Sequence, residues 1–134
     1  MVPVESACDA AEDRRKVVLI VEDDLLLRWP AAEYLRDLGY RVIEAASGEE
    51  AIAVLSSGTR VDIVFSDINL KGELTGHSLS RWVEEHRANL PLLITSGSRN
   101  AAASVSLGAT RAFVAKPYVL ADVDRRIKDL LSPS

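Results

Sequence analysis

Five short apolar runs, separated by longer stretches with helical periodicity, limit what this chain can fold into. Four of the runs are continuous: Val17–Val21, Val61–Phe65, Leu92–Thr95 and Ala112–Ala115. The fifth, Tyr40–Ala45, interleaves Arg41 and Glu44 with Val42 and Ile43. Continuous runs suit strands covered on both faces, and an interrupted one suits a sheet edge. Between them, Leu27, Ala31, Tyr34, Leu35 and Leu38 form a stripe that stops at Gly39. Ser47 is placed to cap a helix with Glu49 and Glu50 in its first turn and Gly58 at its close. Leu79, Trp82, Val83 and His86 repeat at helical spacing, as do Val119, Val123, Ile127 and Leu130. The segment "NAAASVSLGA" is the weakest helix of the set, short and rich in Ala and Ser.

The order is βα repeated five times. Parallel strands joined by right-handed helical crossovers follow from that alternation, with helices on both faces. A closed eight-fold barrel needs a much longer chain than 134 residues, so the expected fold is an open, doubly wound α/β sheet. One domain over residues 16–131 is expected, between polar, aperiodic tails at 1–15 and 132–134. The net charge of −4 and the scattered Lys and Arg residues leave no basic face for nucleic acid. Cys8 has no partner cysteine, the N-terminus carries acids where a signal peptide needs an apolar core, and no run is long enough to span a membrane. These features lead to the expectation of a soluble cytoplasmic protein.

Ligands of open parallel sheets bind beyond the carboxyl ends of the strands. Four of the five runs deliver chemistry to that edge. "VVLIVEDD" ends in Glu22, Asp23 and Asp24; "VDIVFSD" ends in Asp67; "PLLITSG" ends in Thr95, Ser96 and Gly97; "AFVAKP" ends in Lys116. Crowded carboxylates raise one another's pKa values, and a hard cation such as Mg2+, which prefers oxygen ligands, relieves them. An Asp carboxylate such as Asp67 also serves as a phosphoryl-accepting nucleophile. Lys116 then supplies a mobile positive charge, Ser96 a hydroxyl donor, and Gly97 room for close backbone approach. Taken singly, each has a plainer explanation. Asp24 suits a helix N-cap, Ser-Gly marks turns, and Lys-Pro is a common dipeptide. The ordered set is what points to a site.

As a set, "VVLIVEDD", "VFSDINLKGELTG", "LLITSG" and "FVAKPY" resemble the receiver domain of two-component response regulators over residues Lys16 to Leu131. The resemblance implies a flavodoxin-like sheet of strand order 2-1-3-4-5. It implies that Glu22 and Asp23 hold Mg2+ together with Asp67 and the main-chain carbonyl of Asn69, and that Asp67 is the phosphoacceptor. It implies that Lys116 is the site lysine, with a cis bond to Pro117, and that Ser96, by its distance from Pro91, is the switch hydroxyl. Phe113, three residues before the lysine, resembles the switch aromatic, though an ordinary core role fits it as well.

The implied function is a phosphorylation-activated switch, charged by a histidine kinase or phosphotransfer protein and read by a downstream protein. The implied output surface includes Arg99, Arg111 and the "DVDRRIKD" face. Asn69 and Ser98 are expected to flank the path of hydrolytic water. Such a chain is no conventional enzyme, although it catalyses its own phosphorylation and dephosphorylation; weak self-association is left open. Two features depart from the family pattern, Lys71 with an extra residue before Gly76 and Pro30 inside the first helix, and a stand-alone receiver without an effector segment after Leu131 is expected.

Two rival functions remain open. One is an interaction module that keeps the fold but signals without phosphorylation. The other is a small Mg2+-dependent phosphohydrolase, which should carry an acid where Asn69 stands. No Gly-rich nucleotide loop is present, and His77 and His86 lack the spacing for a shared metal.

Overall fold

A computed structural model describes residues 15–97 and 110–132. It contains strands β1 (Val17–Val21), β2 (Arg41–Ala45), β3 (Ile63–Asp67), β4 (Leu92–Ser96) and β5 (Arg111–Ala115). The helices are α1 (Leu25–Asp37), α2 (Gly48–Ser56), α3 (Gly76–His86) and α4 (Leu120–Leu131). All strand pairs are parallel, and the sheet order is β2-β1-β3-β4-β5. The expected helix in residues 100–109, Ser98, Arg99 and most of the two tails lie outside the described residues. No helix among the described residues is long and apolar enough to cross a membrane.

Three of the four continuous runs became covered strands, with every residue of β1, β3 and β4 buried, whereas the fourth is the other edge strand, β5, in which only Val114 is buried. The interrupted run is the edge strand β2, whose first residue is exposed. Strand β3 begins two residues later than its apolar run and carries Ser66 and Asp67 inside the ladder, with Asp67 opposite Thr95.

Side chains alternate across the sheet and build two cores. Leu19, Val21, Val64 and Ile94 pack with Ala51 and Leu55 of α2 and Leu79 and Val83 of α3. Val18, Ile20, Phe65 and Leu93 pack on the opposite face with Ala31, Ala32 and Leu35 of α1 and Val123 and Ile127 of α4. Helices therefore cover both faces. Asp24, Ser47 and Thr75 cap α1, α2 and α3 by accepting from Leu26, Glu50 and Ser78 N–H. Gly39 and Gly58, at φ 103° and 84°, turn the chain out of α1 and α2.

Two expectations need correction. The buried face of α1 is Ala31, Ala32 and Leu35, whereas Leu27 and Leu38 are exposed. Two alanines let this helix lie close to the sheet, which turns its larger residues outward. Helix α1 starts at Leu25 and runs through Pro30, so the proline lies inside it as expected. Arg111 is half-buried rather than a free surface cation: its guanidinium donates to the Leu90 and Ser80 carbonyls at 3.2 and 3.5 Å.

Tyr40 ties the turn before β2 to the last helix, its hydroxyl donating to Asp124 at 2.8 Å. Burial, and then the Asp124 carboxylate, raise its pKa above the ordinary value of 10.0. The unfolded chain then loses this proton at a lower pH than the folded one, so stability falls as pH rises above 10. Tyr40→Phe should cost roughly 1 kcal/mol at neutral pH and flatten that alkaline decline. Thermal melts of both chains across alkaline pH read both effects.

Candidate functional site

Neighbouring strands β1 and β3 run in parallel with Val21 opposite Ser66, so the residues at their carboxyl ends arrive at one place. Glu22 comes directly after β1, and Asp67 is the last residue of β3. Carboxylate oxygens of Glu22, Asp23 and Asp67 all lie within 4.8 Å of one another. Glu22 and Asp67 are only 4% and 5% exposed, so their charge has little water to spread into. Lys116, just past β5, reaches over the intervening strand. Its Nζ donates to Asp67 Oδ2 at 2.8 Å and to Glu22 Oε1 at 3.0 Å. The Lys116–Pro117 bond is cis, and the Lys116 N–H donates to the Ser96 carbonyl at 2.9 Å.

The backbone supplies the remaining supports. Asp67 Oδ1 accepts from Asn69 N–H at 3.0 Å, and Asp23 Oδ2 accepts from Lys71 N–H at 3.1 Å. Glu22 Oε2 accepts from Asp24 N–H at 3.2 Å. The Asn69 side-chain amide donates to Ser96 Oγ at 2.8 Å, linking the residue beside the acids to the end of β4.

Electrostatics follow from this packing. Burial, reinforced by the Asp67 charge, raises the Glu22 pKa despite its bond from Lys116. Burial also works against the Lys116 ammonium, but its bonds to Asp67 and Glu22 prevail and raise its pKa. Asp23 is partly desolvated too, yet the Lys71 N–H and its neighbours hold it below the usual range. Lys116 is bonded to two of the three acids, and the charge of Lys71 also acts on Asp23. The cluster is short of positive charge.

Glu22, Asp23, Asp67, Asn69 and Lys116 line an open cleft of about 500 Å³, together with Asp24, Leu25, Leu27 and Lys71. Ser96 is fully buried and meets this group through Asn69. Phe113 does not line the cleft; it packs, half-buried, against the core under α2 and α3. Thr95 is buried, and its hydroxyl has no hydrogen-bond partner among the described residues. A Cβ at Gly97 would meet no described atom within 4 Å, so no close approach is seen there. His77 and His86 are exposed, the latter stacked on Trp82. Sequence reasoning missed the Lys71 and Asn69 N–H donors, because a main-chain donor is carried by every residue but proline and leaves no mark in residue type, and it missed the side-chain bond from Asn69 to Ser96, which joins residues 27 apart.

Residues 18–128 match the family model of the response regulator receiver domain. The chain belongs to this family. Among its relatives is the sensor kinase CckA of Brucella abortus, 33% identical over 135 residues, a match covering 96% of this chain and 14% of that kinase. The chain thus spans a small part of that relative's length. Among solved structures, a receiver protein from Sinorhizobium medicae aligns with a TM-score of 0.81 and 27% identity, covering 88% of this chain and 95% of its own. The receiver TrrA of Thermotoga maritima, solved in complex with Mg2+-BeF, aligns at 0.78 and 25% identity, covering 87% and 99%. The 2-1-3-4-5 sheet of this receiver is that of its CheY-like neighbours.

Proposed function

We propose that this receiver is a Mg2+-dependent phosphorylation switch in which Asp67 accepts a phosphoryl group from the phosphohistidine of a kinase or phosphotransfer protein. One observation carries the reading: Lys116 bridges Asp67 and Glu22 at the centre of three clustered carboxylates. The cluster suits a small hard cation. The three carboxylate oxygens lie within 4.8 Å of one another, near enough for one small ion to meet them all. Glu22, Asp23, Asp67 and the Asn69 carbonyl would hold the ion, which when bound offsets negative charge on the acids and on the incoming phosphoryl group. The Mg2+-BeF complex of TrrA supports this by analogy.

In the transfer, an Asp67 carboxylate oxygen bonds to phosphorus as the P–N bond of the phosphohistidine breaks, and the bonding pair returns to the nitrogen of an imidazole already protonated on its other ring nitrogen, which leaves neutral. Lys116 already donates to Asp67 and follows the phosphoryl oxygens as charge moves onto them. The acyl phosphate adds close to two negative charges beside Ser96, whose hydroxyl turns to donate to it. Loss of the Asn69–Ser96 arrangement then alters the end of β4, and repacking of Phe113 against the adjoining core carries the change to a surface read by a downstream protein.

The donor is best read as a protein. Leu25, which lines the cleft, is 57% exposed, and beside it Leu26 and Trp29 are 82% and 57% exposed. An apolar rim next to a charged cleft suits a donor that presents its phosphohistidine from an apolar surface. Leu26→Glu with Trp29→Glu should slow transfer from a phosphohistidine protein about tenfold or more, while uptake from a small acyl-phosphate donor persists. Equal slowing with both donors would remove the rim from the reading. The phosphoacceptor itself is tested by Asp67→Asn, which should abolish uptake from either kind of donor.

A further inference from the structure

We propose that Arg28 is a positioning residue for the metal-binding acids, fixing the peptide between Glu22 and Asp23 so that the Asp23 carboxylate faces Glu22 and Asp67. The inference rests on reading that cluster as the Mg2+ site. Arg28 stands in the first turns of α1, and its side chain is only 16% exposed. Its Nη1 donates to the Glu22 carbonyl oxygen at 2.8 Å, and its Nε donates to Glu44 Oε1 at 3.1 Å. Glu44 is itself gripped from α1, its Oε2 lying 3.2 Å from Arg36 Nη2. On the other side, the Glu22 N–H donates to the Ala45 carbonyl at 3.0 Å.

Glu22 is therefore clamped at both of its main-chain polar groups, by strand pairing before it and by a guanidinium after it. The clamp matters most for Asp23. A peptide plane that carries the Glu22 carbonyl also carries the Asp23 nitrogen, so release of Arg28 frees Asp23 to swing. The Asp23 carboxylate also accepts a hydrogen bond from the Lys71 N–H in the loop after β3. By charge alone a guanidinium beside acids repels a divalent cation. Positioning and electrostatics thus predict opposite signs, and the sign decides between them.

Calorimetric titration of the unphosphorylated full chain with MgCl2 reads that sign without any phosphoryl transfer. Arg28→Ala should weaken Mg2+ binding about tenfold, the lower end of what is lost when a group that orients a metal ligand is removed. Arg28→Lys, which keeps the charge but reaches one partner at a time, should fall between. Glu44→Gln should weaken binding by a smaller factor, because it loosens Arg28 without touching Glu22. Thermal melts in metal-free buffer run alongside. A lower melting temperature with an unchanged Mg2+ dissociation constant would mean that Arg28 only joins α1 to β2. Tighter binding would mean that its charge dominates. Either result overturns the proposal. Should Arg28→Ala not fold, Arg28→Lys and Glu44→Gln are judged by the same criterion. A wild-type chain that binds no Mg2+ overturns both the site reading and this inference, whereas wild-type binding that Arg28→Ala leaves intact overturns this inference alone.

Discussion

Asp67→Asn takes up no phosphoryl group from a small acyl-phosphate donor in the presence of Mg2+, under conditions where the unsubstituted chain takes up one. An amide oxygen is a poor nucleophile and brings no charge to a cation, so both the bond-forming atom and a proposed metal ligand are lost. The fold should survive. Lys116 keeps its bond to Glu22, and one buried negative charge leaves a cluster in which burial and repulsion already raise the Glu22 pKa. The new amide does face a mismatch. One carboxylate oxygen accepts from Lys116 and the other from the Asn69 N–H, so whichever side the amide NH2 takes meets a donor. A modest change in melting temperature beside a complete loss of labelling is the expected pair of results, read by thermal denaturation and intact mass. Labelling equal to that of the unsubstituted chain would remove Asp67 as the acceptor.

The second large effect comes from a residue with no chemistry of its own. Gly76→Ala should destabilise the fold by about 3 kcal/mol or more and should also depress phosphoryl uptake. A Cβ on Gly76 would lie 2.3 Å from the Ile68 Cα, 2.4 Å from the Asp67 carbonyl oxygen and 2.7 Å from the Ile68 carbonyl carbon. All three are backbone atoms at the end of β3, and none can rotate away as a side-chain tip does. Relief requires moving either the start of α3 or the segment that aims Asp67. The Gly76 N–H also donates to the Ile68 carbonyl at 3.1 Å, so helix and strand end are joined at the same spot. Chemical denaturation gives the stability term, and uptake at a temperature where the variant remains folded gives the other. A variant as stable and as active as the unsubstituted chain would show that this contact yields easily.

Much of this was legible in the residues. Three of the four continuous apolar runs marked covered strands, and Arg41 and Glu44 marked one edge, while the run in β5 gave no sign that it forms the other. Because parallel strands present their carboxyl ends together, Glu22, Asp23, Asp67 and Lys116 could be assigned to one rim from their order alone. The inward face of α1 was legible only in part. Periodicity picked Ala31 and Leu35, which are buried, but it also picked Leu27 and Leu38, which are exposed, and it passed over Ala32. Arg111 read as a surface charge and Arg28 drew no notice, because each donates to a carbonyl oxygen and a carbonyl has no residue-type signature. Gly76 was visible only as the far end of a loop. Its role depends on a backbone approach between segments that pattern alone cannot bring together.

Most of the functional reading depends on Asp23 and Asp67 converging on a divalent cation in front of Lys116. A structure determined with Mg2+ present tests this most directly. The expected result is an ion about 2.1 Å from carboxylate oxygens of Asp23 and Asp67 and from the Asn69 carbonyl oxygen, with Lys116 still facing Asp67. An ion bound elsewhere, or a cleft without one at saturating Mg2+ while Lys116 alone holds the acids together, would contradict it.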